Sequence, residues 1–527
     1  MRRISKLVSI SLVFVIILTG LGACGKKDSS VNGLKNDGAS GGSTSSATNE
    51  SYDILYDLAF EYGTADLLPM ADQFNTEEYN AISENNFKSV KDYPLSTFSI
   101  DVDTASYSNV RRMINNGQEV NPDAVRMEEM INYFKYDYKK PAEGEPFSIN
   151  TELSDCPWNE NAKLLLIGLQ AKDIDLDRRP SSNLVFLLDV SGSMDTPDKL
   201  PLMKKAFTML VENLNENDRI SIVTYAGIDK VVLKGAKGNE TMKIVSALEE
   251  LTAGGSTAGE AGIRKAYELA QEYFIEGGNN RVILATDGDL NVGISSEGEL
   301  VRLIEEKRKS GVYLSVLGFG TGNIKDNKME ALADNGNGNY HYIDSVLEAK
   351  KVLVEEMGGT LYTVAKDVKL QVEFNPAHIK GYRLIGYENR LLNTEDFNDD
   401  KKDAGEIGAG HRVTALYEII ETTSEQVIAE SNLKYQTQEI ISDSDEWLTI
   451  NIRYKEPDQE VSKLLSVTVD ASDYNPVMPD NLRFASSVAA FGMLLRDSQW
   501  KGSASYQMIL DNLKDLDFGG DEYKEEF

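Results

Sequence analysis

Cysteine and histidine, the residues that build most disulfide and zinc sites, are scarce in this chain. Its 527 residues include only two cysteines, Cys24 and Cys156, and three histidines. Two cysteines in such different contexts exclude a disulfide-stapled scaffold. The histidines stand far apart and none belongs to an HExxH pair, which argues against a zincin-type zinc site at His341, His378 or His411.

Positive charge is also in short supply. The chain carries 54 Lys and Arg against 85 Asp and Glu, so its formal net charge is −31. An excess of negative charge repels the phosphates of nucleic acid instead of neutralising them. The sequence therefore predicts no nucleic-acid partner, and it favours a soluble surface, hard cations or basic ligands.

Nucleotide and catalytic motifs are missing as well. The glycine-rich residues 318–322 lack the Gly-Lys-Ser/Thr of a phosphate-binding loop, and residues 405–410 lie in a β-rich part of the chain. Both stretches are interpreted as turns, so no nucleotide is expected. No Ser, His and Asp stand in the motif context of a catalytic triad. The chain is accordingly predicted to be a binding protein and not an enzyme.

The N-terminus carries a short apolar run at residues 7–18, which follows three basic residues. The run is too short for a comfortable membrane-spanning helix, and small residues come after it, so residues 1–24 are predicted to be a signal peptide. Leu21-Gly22-Ala23-Cys24 resembles a lipobox, which implies that the Cys24 thiol is acylated. The predicted localisation is the cell membrane, with the lipid-anchored protein facing outside the cytoplasm. Cys156 is predicted to be a free, buried cysteine.

The composition divides the rest of the chain into a linker and three folded units. Residues 25–51 contain almost no large apolar side chain and are predicted to be a flexible tether, with an end-to-end distance of roughly 30 Å. The remaining length suits an N-terminal α+β unit, a central α/β unit and a C-terminal β-rich unit with helices. Their predicted boundaries are residues 52–173, 174–364 and 365–527.

The central unit alternates strands and helices in the order that builds a parallel sheet. Residues 184–188 are a continuous apolar run, as expected for a strand covered on both faces. Further strands are predicted at residues 220–225, 282–285, 312–317 and 340–343, and helices at residues 199–214, 242–251, 263–274, 299–309 and 346–357. The predicted fold class is a doubly wound, mostly parallel α/β sheet of Rossmann-like type. Ligands of such sheets bind outside the carboxyl ends of the strands.

A carboxylate and two hydroxyls follow the first central strand, in the stretch Asp189-Val190-Ser191-Gly192-Ser193. Two more oxygen ligands are expected from neighbouring elements: Thr257, which precedes a helix, and Asp287, which ends the next buried strand. Because the carboxyl ends of parallel strands meet at one edge of a sheet, all five side chains are expected to converge. Hydroxyl and carboxylate oxygens suit a hard divalent cation, above all Mg²⁺, with Mn²⁺ or Ca²⁺ as alternatives.

These five positions match the metal-ion-dependent adhesion site of von Willebrand factor type A domains, whose pattern is D-x-S-x-S with a distant Thr and Asp. The resemblance implies that Asp189, Ser191, Ser193, Thr257 and Asp287 hold the cation, with the hydroxyls bound directly and one or both aspartates through water. It also implies that an acidic residue of a protein partner supplies the last ligand. Binding in that family can be coupled to a shift of the final helix.

The whole folded part resembles bacterial lipoproteins that have a characteristic N-terminal segment, a type A domain and a C-terminal domain of unknown function. The stretches that carry the resemblance are residues 95–104, 109–112 and 404–411. It implies a von Willebrand factor-associated domain at 52–173, the type A domain at 174–364 and the domain of unknown function at 365–527. The family is defined by its architecture and not by a known ligand, so it implies little about activity.

Two further pairs of carboxylates allow more than one interpretation. Asp101 and Asp103 point to the same side of a strand, which suits a second cation site, but a strand end that leads into a helix N-cap is favoured. Asp195 and Asp198 follow the stretch from Asp189 to Ser193, which suggests an adjacent regulatory cation site as in integrin β domains. Their spacing departs from the pattern of that site. Thr196-Pro197-Asp198 is instead interpreted as the N-cap and first turn of a helix.

These features lead to one favoured function and two alternatives. The favoured function is a cell-envelope lipoprotein that binds a divalent cation and engages a protein partner through a metal-bridged carboxylate. An envelope assembly factor with a permanent partner is the first alternative. A metal-dependent hydrolase is the second, and no candidate general base stands out for it.

Overall fold

The computed structural model describes residues 76–100, 103–175, 179–226, 229–255, 259–288, 297–431, 444–457 and 459–527. The predicted signal peptide and tether lie outside these ranges, as do Cys24, Asp101 and Thr257. In the described part of the chain, no helix is both long enough and apolar enough to cross a lipid bilayer.

Strands and helices are numbered here along the described residues. The strands are β1 Lys88–Ser89, β2 Leu95–Ser99, β3 Phe147–Asp155, β4 Lys163–Ala171, β5 Ser182–Asp189, β6 Arg219–Tyr225, β7 Asp229–Lys237, β8 Asn279–Thr286, β9 Tyr313–Phe319, β10 Tyr340–Ile343, β11 Thr363–Phe374, β12 Ile379–Ile385, β13 Gly405–Gly408, β14 Arg412–Glu421, β15 Glu446–Lys455 and β16 Lys463–Asp470. The helices are α1 Ala105–Asn115, α2 Met127–Asn132, α3 Leu200–Glu212, α4 Thr241–Glu249, α5 Gly259–Glu272, α6 Glu297–Arg308, α7 Asp326–Asn335, α8 Val346–Lys350, α9 Met357–Leu361, α10 Asp480–Leu495, α11 Tyr506–Leu513 and α12 Glu522–Glu526.

The central sheet has the strand order β10-β9-β8-β5-β6-β7, in which only β7 runs antiparallel to its neighbour among these described strands. Every residue of β5 is buried, and its side chains alternate between two apolar clusters. Phe186 packs on one face against Phe207 of α3, with ring centroids 4.5 Å apart, and Leu187 lies in the other cluster with Ile263 of α5. Helices therefore cover both faces, and the doubly wound α/β fold class is confirmed.

Three elements of the central unit differ from what the hydrophobic pattern of the sequence predicts. β7 is a partly exposed edge strand and shows no continuous apolar run. α7 buries Asp326 and Glu330 beside Met329 and Leu332, so its buried face does not have the apolar spacing of an ordinary helix. The helix predicted at residues 346–357 is interrupted, because a π-helical turn at Lys351–Glu355 separates α8 from α9.

Two further sheets combine strands from before and after the central unit. One has the order β1-β12-β14-β4-β3, and the other has the order β13-β11-β15-β16, with β2 also paired to β11. β14 and β4 form a long antiparallel pair, from Arg412 opposite Gln170 to Ile419 opposite Lys163. The first and third predicted units thus share sheets, and the boundaries proposed for the three units stay a prediction.

The glycine-rich residues 405–410 are not wholly a turn, contrary to expectation. Gly405–Gly408 forms β13 and pairs with β11, whereas Gly410 has a φ of 75°. A Cβ atom on Gly408 would lie 1.8 Å from the carbonyl oxygen of Gly359 in α9. Glycine is therefore required here because the backbone of α9 contacts the strand directly.

A buried ionic network joins the N-terminal flank to the central unit. Arg126, which precedes α2, pairs with Glu129 and with Asp326 of α7, and its Nη1 atom lies 3.5 Å from Glu330. Arg390, which follows β12, contacts Asp334 of α7 at 2.6 Å. The carboxylates of α7 are therefore neutralised by cations that both flanks supply, which fixes the flanks on the central unit.

Replacement of Arg126 by methionine is expected to lower the free energy of unfolding by about 3 kcal/mol, because Glu129 and Asp326 then stay buried without this cation. Urea denaturation followed by intrinsic fluorescence measures the change. Lys234→Met is the matched control, since Lys234 and Glu272 form a half-exposed pair of the kind that adds little stability. Equal unfolding midpoints for the two variants would contradict a stabilising role for the network.

Candidate metal centre

The candidate metal centre begins at the carboxyl end of β5. Asp189 is the last residue of this strand and is fully buried. Its Oδ1 atom accepts a hydrogen bond from the backbone N–H of Ser191 at 2.9 Å, and its Oδ2 atom accepts one from Thr286 Oγ1 at 3.1 Å. Burial raises the pKa of Asp189 to about 6, although the hydrogen bonds from Ser191 act in the opposite direction.

Two serine hydroxyls lie next to each other in the loop that follows β5. The Oγ atoms of Ser191 and Ser193 are 3.0 Å apart. Ser191 is buried, whereas Ser193 is exposed within the short 3₁₀ turn Gly192–Met194. The loop therefore offers one enclosed and one accessible hydroxyl oxygen.

The loop that leads to Thr257 is hydrogen-bonded to the loop that contains Ser191 and Ser193. The N–H of Gly192 donates to the carbonyl of Gly255 at 3.1 Å, and the N–H of Gly254 donates to the carbonyl of Val190 at 2.8 Å. Gly255 has a φ of 85°, and a Cβ atom there would lie 2.7 Å from the carbonyl oxygen of Ala226, so the close approach requires glycine. Thr257 itself lies outside the described residues, and its role as a ligand stays a prediction.

Asp287 follows β8, the parallel neighbour of β5, and is fully buried. Its Oδ2 atom accepts a hydrogen bond from Lys199 Nζ at 3.0 Å, and the same Nζ atom donates to Asn323 Oδ1 at 3.2 Å. Burial raises the pKa of Asp287, but a hydrogen bond with Asn323 and the charge of Lys199 outweigh it, so the pKa lies below its usual value.

Lys199 and Asn323 were not predicted from the sequence to belong to this centre. Lys199 is the N-cap residue of α3. A cation at the start of a helix is disfavoured by the helix dipole, so this position carried a weak signal that the lysine has another role. Asn323 belongs to the loop after β9, and no motif in the sequence connects that loop to the cation ligands.

The four described candidate ligands form an oxygen-rich set that fits a hard divalent cation. Asp189 and Asp287 offer carboxylates, Ser191 and Ser193 offer hydroxyls, and Ser193 contributes to the lowered pKa of Asp287. Within the ranges that the structure describes, no group of three or more His, Cys, Asp or Glu side chains is arranged to hold a metal ion. A cation at this centre would therefore depend on the hydroxyls, which favours Mg²⁺ over zinc.

An open depression of about 500 Å³ lies beside the hydroxyl of Ser193. Ser193, Asp195, Lys199 and Asn323 are among the residues that line it. The exposed hydroxyl of Ser193 can thus be reached from solvent, and so could a cation held next to it.

The helix that follows the loop of Ser191 and Ser193 does not include Thr196-Pro197-Asp198. α3 begins at Leu200, with Pro201 in its first turn and no side-chain cap on its N-terminus. Thr196 donates its hydroxyl hydrogen bond to Asp198 Oδ1 at 2.6 Å, and the N–H of Lys199 donates to the carbonyl of Thr196 at 3.0 Å. The N-cap prediction for Thr196 is therefore wrong, because these residues form a separate turn and Pro201 is the proline at the helix start.

The remaining candidates take structural positions. Asp103 accepts a hydrogen bond from the N–H of Tyr340 at 2.9 Å and lies 3.5 Å from Arg390. Thr104 is the N-cap residue of α1, so the strand end leads into a helix as favoured. Cys156 is a buried, free cysteine, as predicted, and burial raises the pKa of its thiol.

Three family models match the chain. They are von Willebrand factor over residues 73–166, von Willebrand factor type A domain over residues 183–355, and Uncharacterized protein YfbK, C-terminal over residues 359–527. The type A match contains Asp189, Ser191, Ser193, Thr257 and Asp287.

The chain is similar to known proteins over different shares of its length. The chain is 44% identical over 447 residues to Uncharacterized protein YfbK of Escherichia coli, a match that covers 82% of this chain and 76% of the relative. It is 32% identical over 188 residues to Uncharacterized protein sll0103 of Synechocystis, covering 35% of this chain and 43% of that protein. The solved structure of von Willebrand factor type A from Catenulispora acidiphila matches with a TM-score of 0.40 and 17% identity, over 72% of this chain and 88% of that one.

Cation binding is expected to weaken when the pH is lowered from about 7 to about 5, because protons compete for Asp189, whose pKa is about 6. Well below that pKa the apparent affinity for Mg²⁺ should fall roughly tenfold per pH unit. Isothermal titration calorimetry measures it. Asp189→Asn, which cannot take up this proton, should bind weakly with a flatter pH dependence. A wild-type affinity that stays constant over this range would contradict the assignment of Asp189 as a ligand.

Proposed function

Because this chain belongs to the bacterial family of Uncharacterized protein YfbK, we propose that it is a metal-dependent binding protein of the cell envelope. The chain joins a von Willebrand factor type A domain to a C-terminal domain of unknown function. Its proposed cation ligands are Asp189, Ser191, Ser193, Thr257 and Asp287. The proposed cation is Mg²⁺ or another hard divalent ion, and the proposed partner is a protein that presents an acidic residue.

The convergence of two buried carboxylates and two hydroxyls on one edge of the sheet carries this proposal. Buried carboxylates that lie close together are costly unless cations neutralise them. Lys199 supplies one positive charge at Asp287, so the two carboxylates and the ammonium together have one net negative charge. A hard divalent cation meets this demand for positive charge, and oxygen is the ligand atom that it prefers.

The proposed role of an acidic partner follows from the neutral charge of the hydroxyl ligands. Hydroxyls are neutral, so they leave much of the charge of a bound cation available to another ligand. Such a cation would act as a Lewis acid and attract a carboxylate. Because Ser193 lines the open depression, a partner can reach the proposed cation site from solvent. The net charge of −31 supports metal dependence, because without a cation the protein repels an acidic partner.

The proposed envelope location rests on the N-terminal sequence. A basic start, a short apolar run and Leu21-Gly22-Ala23-Cys24 together suit export and acylation of Cys24. A lipid on Cys24 would anchor the protein to the cell membrane, with the protein facing outside the cytoplasm. The predicted tether at residues 25–51 would then hold the folded part away from the lipid headgroups.

Wild-type protein is expected to bind Mg²⁺ saturably, and Asp189→Ala is expected to abolish binding because it removes a buried anionic ligand. The double variant Ser191→Ala/Ser193→Ala should bind more weakly than wild type, since two oxygen donors are lost. Titration calorimetry measures all three proteins. Ser246→Ala is the control, because Ser246 is an exposed serine of α4. Wild-type affinity in Asp189→Ala would refute the site.

The same serine variants test whether binding of a partner protein depends on the cation. In a crosslinking pull-down from intact cells, wild-type and Ser246→Ala proteins are expected to recover a partner protein that the serine double variant does not. A chelator added before crosslinking should have the same effect as the double variant. A partner that is recovered equally in every case would instead indicate a permanent assembly contact that does not use the cation.

Replacement of Cys24 by serine is expected to abolish incorporation of labelled palmitate and to move the protein from the membrane fraction to the soluble fraction or to an unprocessed precursor. The reason is that the thiol is the only group on that side chain able to form the thioether link to lipid. Cys156→Ala is the control, because this buried cysteine should not affect labelling. Palmitate incorporation by Cys24→Ser would contradict the proposed anchor.

A further inference from the structure

Lys199 is an internal cation of the candidate metal centre. Its ammonium lies 3.0 Å from Asp287 Oδ2, and the two side chains are 8% and 0% exposed. A second contact, to Asn323 Oδ1 at 3.2 Å, holds the ammonium from the loop after β9. An ion pair this well enclosed is screened little by solvent, so its charge acts directly on whatever else binds at Asp287.

The fold makes room for this lysine at one particular position. Gly320 has a φ of 75°, and a Cβ atom there would lie 2.3 Å from Cγ and Cε of Lys199. The carbonyl of Gly320 accepts a hydrogen bond from the hydroxyl of Tyr342 at 2.6 Å, which fixes the backbone over the lysine. The stem of Lys199 therefore runs through a gap that only a glycine at position 320 leaves open.

The formal charges show what the lysine does to a bound cation. Asp189 and Asp287 contribute two negative charges and Lys199 contributes one positive charge, so the centre starts at minus one. A divalent cation would bring it to plus one, whereas without the lysine the centre would become neutral. Two cations of unlike valence thus compete for the same carboxylate, and their mutual repulsion is strong at short range.

We infer that Lys199 is a built-in competitor of the divalent cation, and that a cation which binds at the centre displaces the ammonium from Asp287. This inference rests on the proposed cation binding. The lysine neutralises Asp287 while the centre holds no other cation, which keeps the sheet edge stable. It also lowers the affinity for the divalent ion, and the displaced charge remains close enough to attract an acidic group.

The test compares Mg²⁺ binding by full-length wild type and Lys199→Gln with titration calorimetry. Glutamine keeps a hydrogen-bond donor near Asp287 but removes the charge, so the variant is expected to bind Mg²⁺ about tenfold more tightly. Lys205→Gln is the matched control, because Lys205 is an exposed residue of the same helix, and it should bind like wild type. Equal or weaker binding by Lys199→Gln overturns the inference.

A second measurement uses wild-type protein alone, so that it does not depend on the folding of a variant. The reactivity of Lys199 towards an acetylating reagent, followed by mass spectrometry, is expected to rise several-fold on addition of Mg²⁺, while that of Lys205 stays constant. Unchanged reactivity of Lys199 at saturating Mg²⁺ overturns the displacement. Failure of both wild type and Lys199→Gln to bind Mg²⁺ would instead contradict the proposed function itself.

Discussion

The burial of β5 on both faces is the constraint on which the candidate centre depends. Since every residue of this strand is enclosed, its last residue, Asp189, also lies in the interior. A carboxylate there needs donors, and the N–H of Ser191 and the hydroxyl of Thr286 supply them. Asp287, which directly follows the neighbouring strand β8, is also buried, and Lys199 neutralises it. The packing that stabilises the sheet thus collects negative charge at one edge, and that charge is the basis of the proposed cation site.

The positions of the described candidate ligands were predictable because each is marked locally in the chain. A continuous apolar run ends at Asp189, another ends at Asp287, and the hydroxyls of Ser191 and Ser193 follow the first at short spacing. Lys199 and Asn323 could not be predicted in the same way. They reach Asp287 from the start of α3 and from the loop after β9, and their meeting depends on the tertiary path of both segments.

The flanks were predictable as strands and helices but not as partners. β4 contains a continuous apolar run at residues 164–167, and neither this run nor the pattern of β14 indicates that the two strands pair across the whole central unit. Hydrophobic periodicity also failed at α7, because the positions that it buries include Asp326 and Glu330. Those carboxylates are stable in the interior only because Arg126 and Arg390 reach them from the two flanks. An element whose burial depends on distant charges shows no apolar pattern of its own.

The N-terminal flank also contacts the loop that carries Asn323, the residue that accepts a hydrogen bond from Lys199. Gly322 donates its N–H to Glu77 Oε1 at 3.0 Å, and its carbonyl accepts from the N–H of Thr76 at 2.8 Å. On the other side of Asn323, Lys325 contacts Glu78 at 2.6 Å. The backbone on both sides of Asn323, the residue that accepts a hydrogen bond from Lys199, is therefore held by contacts with the flank. Loss of the flank would free the loop and change how the lysine neutralises Asp287, without altering any ligand. The type A domain and its N-terminal flank thus form one electrostatic unit at this site.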